Sequence, residues 1–281
     1  MLTLAAVSAN FTRNLEAGLA RVEAILGDAR EHGARLVVFP DATLGGYLSS
    51  FRTTGAPPEP PPALDPDGPE LARVAEAAGD VVVCLGYCEA DGERRFNTAV
   101  CLTADGVLGA HRKVHLPPAD QGVYTPGDRF TAFDTPVGRM GMLIDYDKTF
   151  PEAARALALG GAEVVACLCA WPASVSVKST RLDLDPQSRL ADLYDRARAA
   201  ENQVVWVAAN QSGQFGQLRF LGQSRIVGPG GQVLAGTGTK PGLAVASLDV
   251  AAEIDRARRT FSHLDERRPD AYDPIPPTGG S

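Results

Sequence analysis

The sequence predicts an α/β protein of four layers, an αββα sandwich: two mixed sheets lie face to face with helices on both outer sides. Three observations predict it. Apolar runs of strand length alternate with segments of helical period, in two successive rounds with hairpin signals between them. No short-period repeat and no linker-like stretch divides the chain. A chain of 281 residues, 44% of them hydrophobic, can bury a full core. Residues 1–264 are expected to form one domain. The charged, Pro-rich residues 265–281 are expected to be a tail, disordered or packed on a partner.

Taken in order, residues 2–9 read as a strand. Residues 12–31 carry Leu15, Leu19, Val22, Ile25 and Leu26 at helical spacing, and Gly33 is placed to end that helix. Residues 35–39 form a buried strand that runs into Pro40-Asp41. Residues 53–69 are rich in Pro and acidic side chains and read as a surface loop. A short helix over 71–78 precedes strands at 81–87, 97–102 and 107–112, the last two joined by the tight turn Ala104-Asp105-Gly106. Strands at 130–133 and 140–144 flank Pro136-Val137-Gly138. A helix over 151–159 ends at Gly160-Gly161, and a strand at 164–168 leads to Trp171-Pro172. A helix over 188–201 precedes a strand at 204–209. Residues 220–227 and 232–234 are expected strands joined by Gly228-Pro229-Gly230-Gly231. A strand at 243–248 and a short helix at 251–259 follow.

Charge and composition exclude several function classes. Net charge is −7, and no basic run offers a positive face to nucleic acid. No apolar run approaches the length of a membrane span. Met1 leads straight into strand-like residues, without a signal pattern. The expected location is cytoplasmic, and the expected partner is a small-molecule substrate. Cys84, Cys88, Cys101, Cys167 and Cys169 all sit in apolar, strand-like segments and read as reduced core residues. Cys167 and Cys169 are two apart, share a strand face, and lack zinc-site spacing.

One stretch organises the rest. Met142, Leu143 and Ile144 form a buried strand that turns sharply through Asp145-Tyr146-Asp147-Lys148-Thr149 into Phe150-Pro151-Glu152, where Pro suits a helix start. A strand turning abruptly into a helix projects Asp145 at the strand's carboxyl end, where α/β sheets place their chemistry. Asp41, Lys113 and Asp120 also follow or end apolar strands. Each alone reads as a loop residue; together they describe a cleft. A Lys flanked by acids there stays protonated. It can stabilise an oxyanion while a carboxylate relays protons.

Longer motifs carry a resemblance. They are Phe39-Pro40-Asp41 with Gly46-Tyr47, His111-Arg112-Lys113-Val114-His115-Leu116-Pro117, Tyr124-Thr125-Pro126-Gly127-Asp128, and Asp145-Tyr146-Asp147 to Phe150-Pro151-Glu152. Gly161-Ala162 through Ala170-Trp171 follows, then Arg198 to Glu201-Asn202, Ala209-Asn210, and Gly222-Gln223-Ser224 before Gly228-Pro229-Gly230. In this order the chain resembles the carbon–nitrogen hydrolase (nitrilase) superfamily from its N-terminus to about residue 248. The resemblance implies an αββα sandwich that pairs into homodimers or larger homo-oligomers. It implies amide, carbamoyl or nitrile substrates and no cofactor; no metal is expected.

The superfamily's motif is a Glu–Lys–Cys triad: base, oxyanion support and thioester-forming nucleophile. Lys113 matches the Lys. Asp41 stands at the Glu position, Asp145 at the Cys position, and Asp120 where a further Glu often precedes the Tyr-Thr-Pro-Gly block. Tyr47, Glu89, Tyr146, Cys169 and Trp171 are the supporting or substrate-binding candidates. Glu89 resembles a Glu beside the site. Cys169 is a substitute thiol on the neighbouring strand, read more simply as a buried core residue. His115, two residues from Lys113, is expected on the same strand face. Arg198 and Glu201 are expected to pair at i,i+3 or to contact a second subunit.

The missing thiol changes the chemistry. A thiolate attacks a carbonyl and leaves a hydrolysable thioester, whereas a carboxylate attacking an amide would give a high-energy anhydride. The shorter Asp at 41 also retracts the base by about 1.5 Å, a displacement that can cost on the order of 100-fold. Three readings are open. Asp145 acts as acid or base beside Lys113 on a small amide-, carbamoyl- or other C–N-containing substrate, one carboxyl pKa rising toward neutrality because three carboxylates crowd one Lys. Alternatively the chain is a catalytically inactive homologue in which Asp145–Lys113 is a buried pair and a ligand or protein is bound. Third, Asp41, Asp120, Asp145 and Asp147 hold a divalent cation, against which Lys113 counts by repulsion. An engineered Cys-to-Asp amidase is a further alternative, although acidic residues at 41 and 120 favour natural divergence.

Overall fold

The computed structural model describes residues 1–51, 59–177 and 179–272. Its hub is β1 (Leu2–Ala9), apolar on both faces as a doubly covered strand must be. Alternation sends Ala5, Val7 and Ala9 to one face, and Leu4 and Ala6 to the other. After it come α1 (Leu15–Glu31), β2 (Leu36–Val38), α2 (Pro69–Ala78), and the meander β3 (Val82–Asp91), β4 (Arg94–Thr103), β5 (Gly106–Arg112). Strands β1, β2 and β3 are parallel, and β4 and β5 add as antiparallel hairpins.

The second round repeats the plan. It runs β6 (Phe133–Thr135), β7 (Gly138–Ile144), α3 (Pro151–Leu159), β8 (Val164–Cys169), α4 (Pro186–Asn202) and β9 (Val205–Phe215). Here β7, β8 and β9 are parallel. Then β10 (Leu218–Leu221), β11 (Arg225–Val227) and β12 (Val233–Gly236) extend β9, β13 (Gly242–Leu248) returns antiparallel to β1, and α5 (Val250–Arg258) follows.

Three apolar clusters prove the layering. One packs α1 and α2 on the outer face of the first sheet, and another packs α3 and α4 on the second. Between the sheets, Leu4, Val38 and Cys84 meet Met142, Ile144 and Val207. The two halves also touch along a ladder: Ser8 and Ala9 of β1 pair with Asn210 and Gln211 of β9. That pairing makes the hydrogen-bonded network continuous, rather than two separate sheets.

Several boundaries differ from expectation for local reasons. The first helix starts at Leu15, because the Asn14 side chain caps the amide of Ala17. The expected strand over 220–227 is two strands, broken at Gly222 and Gln223, both with positive φ. Residues 130–132 stay irregular, and that strand begins only at Phe133. Much of the expected surface loop, residues 52–58, lies outside the described residues, as do residues 273–281 of the expected tail. Among the described residues, no helix is long and apolar enough to cross a membrane.

Candidate active site

The elbow after β7 is the first element of the site. Ile144 ends an extended strand, and Asp145 then takes φ +48°, opening a tight turn over Asp145–Thr149. Left-handed backbone outside Gly costs roughly 1–2 kcal/mol, and Asp tolerates it better than most residues. Surrounding contacts hold it. The Asp147 carboxylate accepts from the amides of Ile144 and His115 and contacts the imidazoles of His111 and His115, each within 3.3 Å. These contacts keep its carboxyl below the usual carboxylate range despite burial. From α4, Arg198 donates to the carbonyls of Lys148 and Thr149. The buried Lys148 ammonium donates to Asp195 at 2.9 Å.

Behind the elbow stands Lys113, just past β5 and fully buried. Its Nζ donates to Asp120 Oδ2 at 2.7 Å and lies 3.5 Å from Asp145 Oδ2. Tyr47 donates its hydroxyl to the other Asp120 oxygen, and the Tyr47 ring lies under the ammonium, 5.7 Å from Nζ to centroid. Asp41 follows β2. Its Oδ2 accepts from Asn97 at 3.0 Å, while its Oδ1 is buried without a partner. The Asp41 amide donates to the Cys169 carbonyl, and its carbonyl accepts from Gln211.

Gly86 makes room for that backbone. A Cβ there would sit 2.6 Å from the Ala42 nitrogen and 2.8 Å from the Asp41 Cα. Gly86→Ala is therefore expected to displace the Asp41 segment and destabilise the fold by about 1–3 kcal/mol. Thermal unfolding checks this; an unchanged melting temperature would refute it.

Electrostatics follow from burial. Desolvation disfavours the Lys113 ammonium, but Asp120, Asp145 and Asp41 outweigh it and hold the Lys pKa above its ordinary value. Burial raises Asp145 above its ordinary value, with Lys113 opposing. Burial also pushes Asp41 up to about 7, against Lys113 and with repulsion from Asp145. An unfolded Asp titrates near ~3.9. A folded pKa raised above that value gives Asp41 a stability contribution fully present below about pH 3.9 and lost as pH rises through about 7. Asp41→Asn is expected to flatten this decline and to raise stability relative to wild type at pH 8, measured as melting temperature against pH. Parallel profiles for the two proteins would refute it.

In front of Asp145 lies a cavity of about 520 Å³. Phe51, Tyr146, Phe150, Trp171 and Tyr194 supply aromatic walls. Asp145 alone of the four charged residues borders it; Lys113, Asp41 and Asp120 stand behind it. Thus Asp41, Lys113, Asp120, Asp145, Tyr47 and Asn97 form one buried cluster, and Tyr146 and Trp171 reach the cavity. Asn210 holds the Trp171 amide and carbonyl.

Other candidates go elsewhere. Glu89 accepts from Thr98 and pairs with Arg112 on the far side of β3 and β4, away from Lys113. Cys169 contributes its carbonyl to Asp41, but its thiol lies 3.6 Å from Cys167 in the outer, helix-side core. His115 does not share a strand face with Lys113, because β5 ends at Arg112 and the ring turns to Asp147 and stacks on Phe150. Asp41, Asp120, Asp145 and Asp147 do not make one cation site. Lys113 bridges Asp120 and Asp145, and Asp147 serves two imidazoles. Arg198 does pair with Glu201, as its spacing predicts, and also clamps the elbow. That clamp and the Phe150, Tyr194 and Phe51 walls have no signal in local spacing, since each depends on how distant segments pack.

Comparison with known proteins agrees with this architecture. The carbon–nitrogen hydrolase family model matches residues 3–258. An (R)-stereoselective amidase from Pseudomonas sp. is 34% identical over 236 residues, 83% of this chain and 79% of that protein. N-carbamoylputrescine amidase from Solanum lycopersicum is 29% identical over 97% of this chain and 94% of that protein. Among solved structures, an amidase of the nitrilase superfamily from Nesterenkonia AN1 superposes with a TM-score of 0.77 at 24% identity. That match covers 96% of this chain and 95% of that one. The chain belongs to the carbon–nitrogen hydrolase family, with the αββα sandwich of the nitrilase superfamily.

Proposed function

We propose that this protein hydrolyses a small amide or carbamoyl substrate with Asp145 as general acid and base, rather than through a cysteine thioester. One observation carries the reading. The carboxylate at the elbow borders an aromatic-walled cavity while its Oδ2 lies 3.5 Å from a buried ammonium. Lys113 and Asp41 act through Asp145 as positioning residues: the ammonium orients and charges the carboxylate, and Asp41 tunes the local field. Family membership, and relatives named as amidases and carbamoyl amidases, support the substrate class.

In the proposed step, Asp145 takes a proton from a cavity water as the water oxygen bonds to the substrate carbonyl carbon. The tetrahedral species then expels nitrogen, which takes that proton back from Asp145. An acid and an amine or ammonia leave, and Asp145 ends as it began. No acyl-enzyme forms. Ammonia release from a panel of small amides and carbamoyl compounds tests turnover. Single turnover in ¹⁸O-water tests the path: label is expected in the product acid and none in the peptide containing Asp145. Label in that peptide would instead indicate a covalent aspartyl intermediate.

A second reading has its own support. Asp145 stands between the cavity and Lys113, so the ammonium is closed off from a ligand. That arrangement suits an inactive homologue that binds without turnover. Ligand-dependent melting shifts with no product from any member of the panel would select it.

A further inference from the structure

We propose that the cavity beside the Asp145 pocket is a second subsite, which takes a cationic ammonium group at the far end of the substrate, with Asp185 as its recognition residue. The proposal rests on reading the Asp145 pocket as the amide site. The two cavities are neighbours, sharing Phe51, Ala173, Ser174 and Val175 as walls, and the second encloses about 560 Å³. A substrate with its amide at Asp145 and a few methylenes of chain would extend into it.

Asp185 precedes α4 and is fully buried. Its Oδ1 caps the helix by accepting from the Gln187 amide at 2.9 Å, and anchors the loop by accepting from the Ser174 amide at 3.1 Å. Those bonds account for one oxygen, and a hydroxyl would serve as a cap equally well. The second oxygen, Oδ2, has no hydrogen-bond partner, although the residue borders the cavity. A buried carboxylate oxygen left unpaired is costly. An ammonium brought by a ligand would supply a charge-assisted bond and remove that cost. Among the described residues, the other walls do not compete for this role. Phe51 and Leu218 are apolar and Gln217 is neutral, while Arg219 sits exposed with its guanidinium toward the Thr180 carbonyl.

The test compares pentanamide, 5-aminopentanamide and glutaramic acid, which pair the same amide with a neutral, cationic or anionic tail. Affinity is read by calorimetry on the full chain, or as KM where the compound is turned over. Asp185→Asn keeps the cap and removes the charge; Asp185→Ser keeps the cap and removes Oδ2. The expected result is that 5-aminopentanamide binds wild type about ten-fold more tightly than pentanamide. Both variants should lose that advantage while melting as cooperatively as wild type. Equal binding of the two amides, an advantage that survives both substitutions, or preference for glutaramic acid would overturn the proposal. If no amide binds, the amide-site reading has failed, and butylamine then decides. Binding to wild type but not to Asp185→Asn sustains the subsite, and no binding to wild type overturns it.

Discussion

Lys113→Met should abolish measurable turnover and lower stability at pH 8 by about 3–5 kcal/mol, the usual cost of leaving a buried charge without its partner. The side chain is fully buried, and its ammonium is shared between Asp120 and Asp145. Without it, Asp120 retains the Tyr47 hydroxyl but no countercharge. Burial already raises Asp145 and Asp41, and Lys113 is the largest influence opposing that rise in both, helped by Lys148 at Asp145 and by the Asn97 hydrogen bond at Asp41. In the variant, both carboxyls should therefore titrate higher still. A raised folded pKa contributes stability at low pH and loses it as pH increases. The deficit relative to wild type should accordingly shrink between pH 8 and pH 5. Urea unfolding at the two pH values measures this, with ammonia release reporting turnover. A deficit independent of pH would show that the loss is packing rather than charge. Wild-type turnover would remove Lys113 from the mechanism.

Asp145→Asn should reduce turnover by about 10²–10⁴-fold, the range for losing a general acid–base group. The fold should survive, because Asn tolerates φ +48° nearly as well as Asp. Asp145→Cys separates a diverged pocket from a diverged residue. The variant places a thiol at the elbow beside the buried Lys113 ammonium, restoring the nucleophile while leaving the shorter Asp41 as base. Exposing Asp145→Cys to small amides and weighing the intact protein should reveal an acyl adduct. Its absence would mean that the cavity in front of residue 145 no longer admits such substrates. If Asp145→Asn left the rate unchanged, the acid–base proposal would fall and the binding reading would gain.

Much of this site could be read from local pattern. Met142 to Ile144 followed by Asp145 and then Phe150-Pro151 spells strand, sharp turn and helix start, and all three occur there. The helix over Pro151–Leu159 keeps its expected bounds, because Pro sets one end and Gly160 the other. Boundaries set by less local effects moved. The strand expected over 130–133 shifts to Phe133–Thr135, the stretch that pairs with β7, and pairing is a nonlocal choice. Two-residue alternation puts His115 on the face of Lys113. The backbone leaves the strand at Arg112, however, and the alternation stops there.

Roles that depend on where a side chain points were less accessible. Glu89 lies on a strand next to the site, yet Thr98 and Arg112 on the two following strands take its carboxylate. Asp147 resembles a fourth acid of the cluster by sequence, but two imidazoles and two amides consume its acceptor capacity. Asp185 is an ordinary helix cap in one dimension, and only packing shows that half of its carboxylate remains unpaired.

By itself, then, the order of apolar runs, turns and caps determined the αββα architecture and the elbow at residue 145, because strand and helix formation depend on spacing over a few neighbours. The tertiary structure decided that Lys113, Asp41 and Asp120 are sealed behind Asp145, and that a second cavity opens beside Asp185. Burial, and with it charge state and access, depends on contacts between segments far apart in the chain, and no local pattern encodes those contacts.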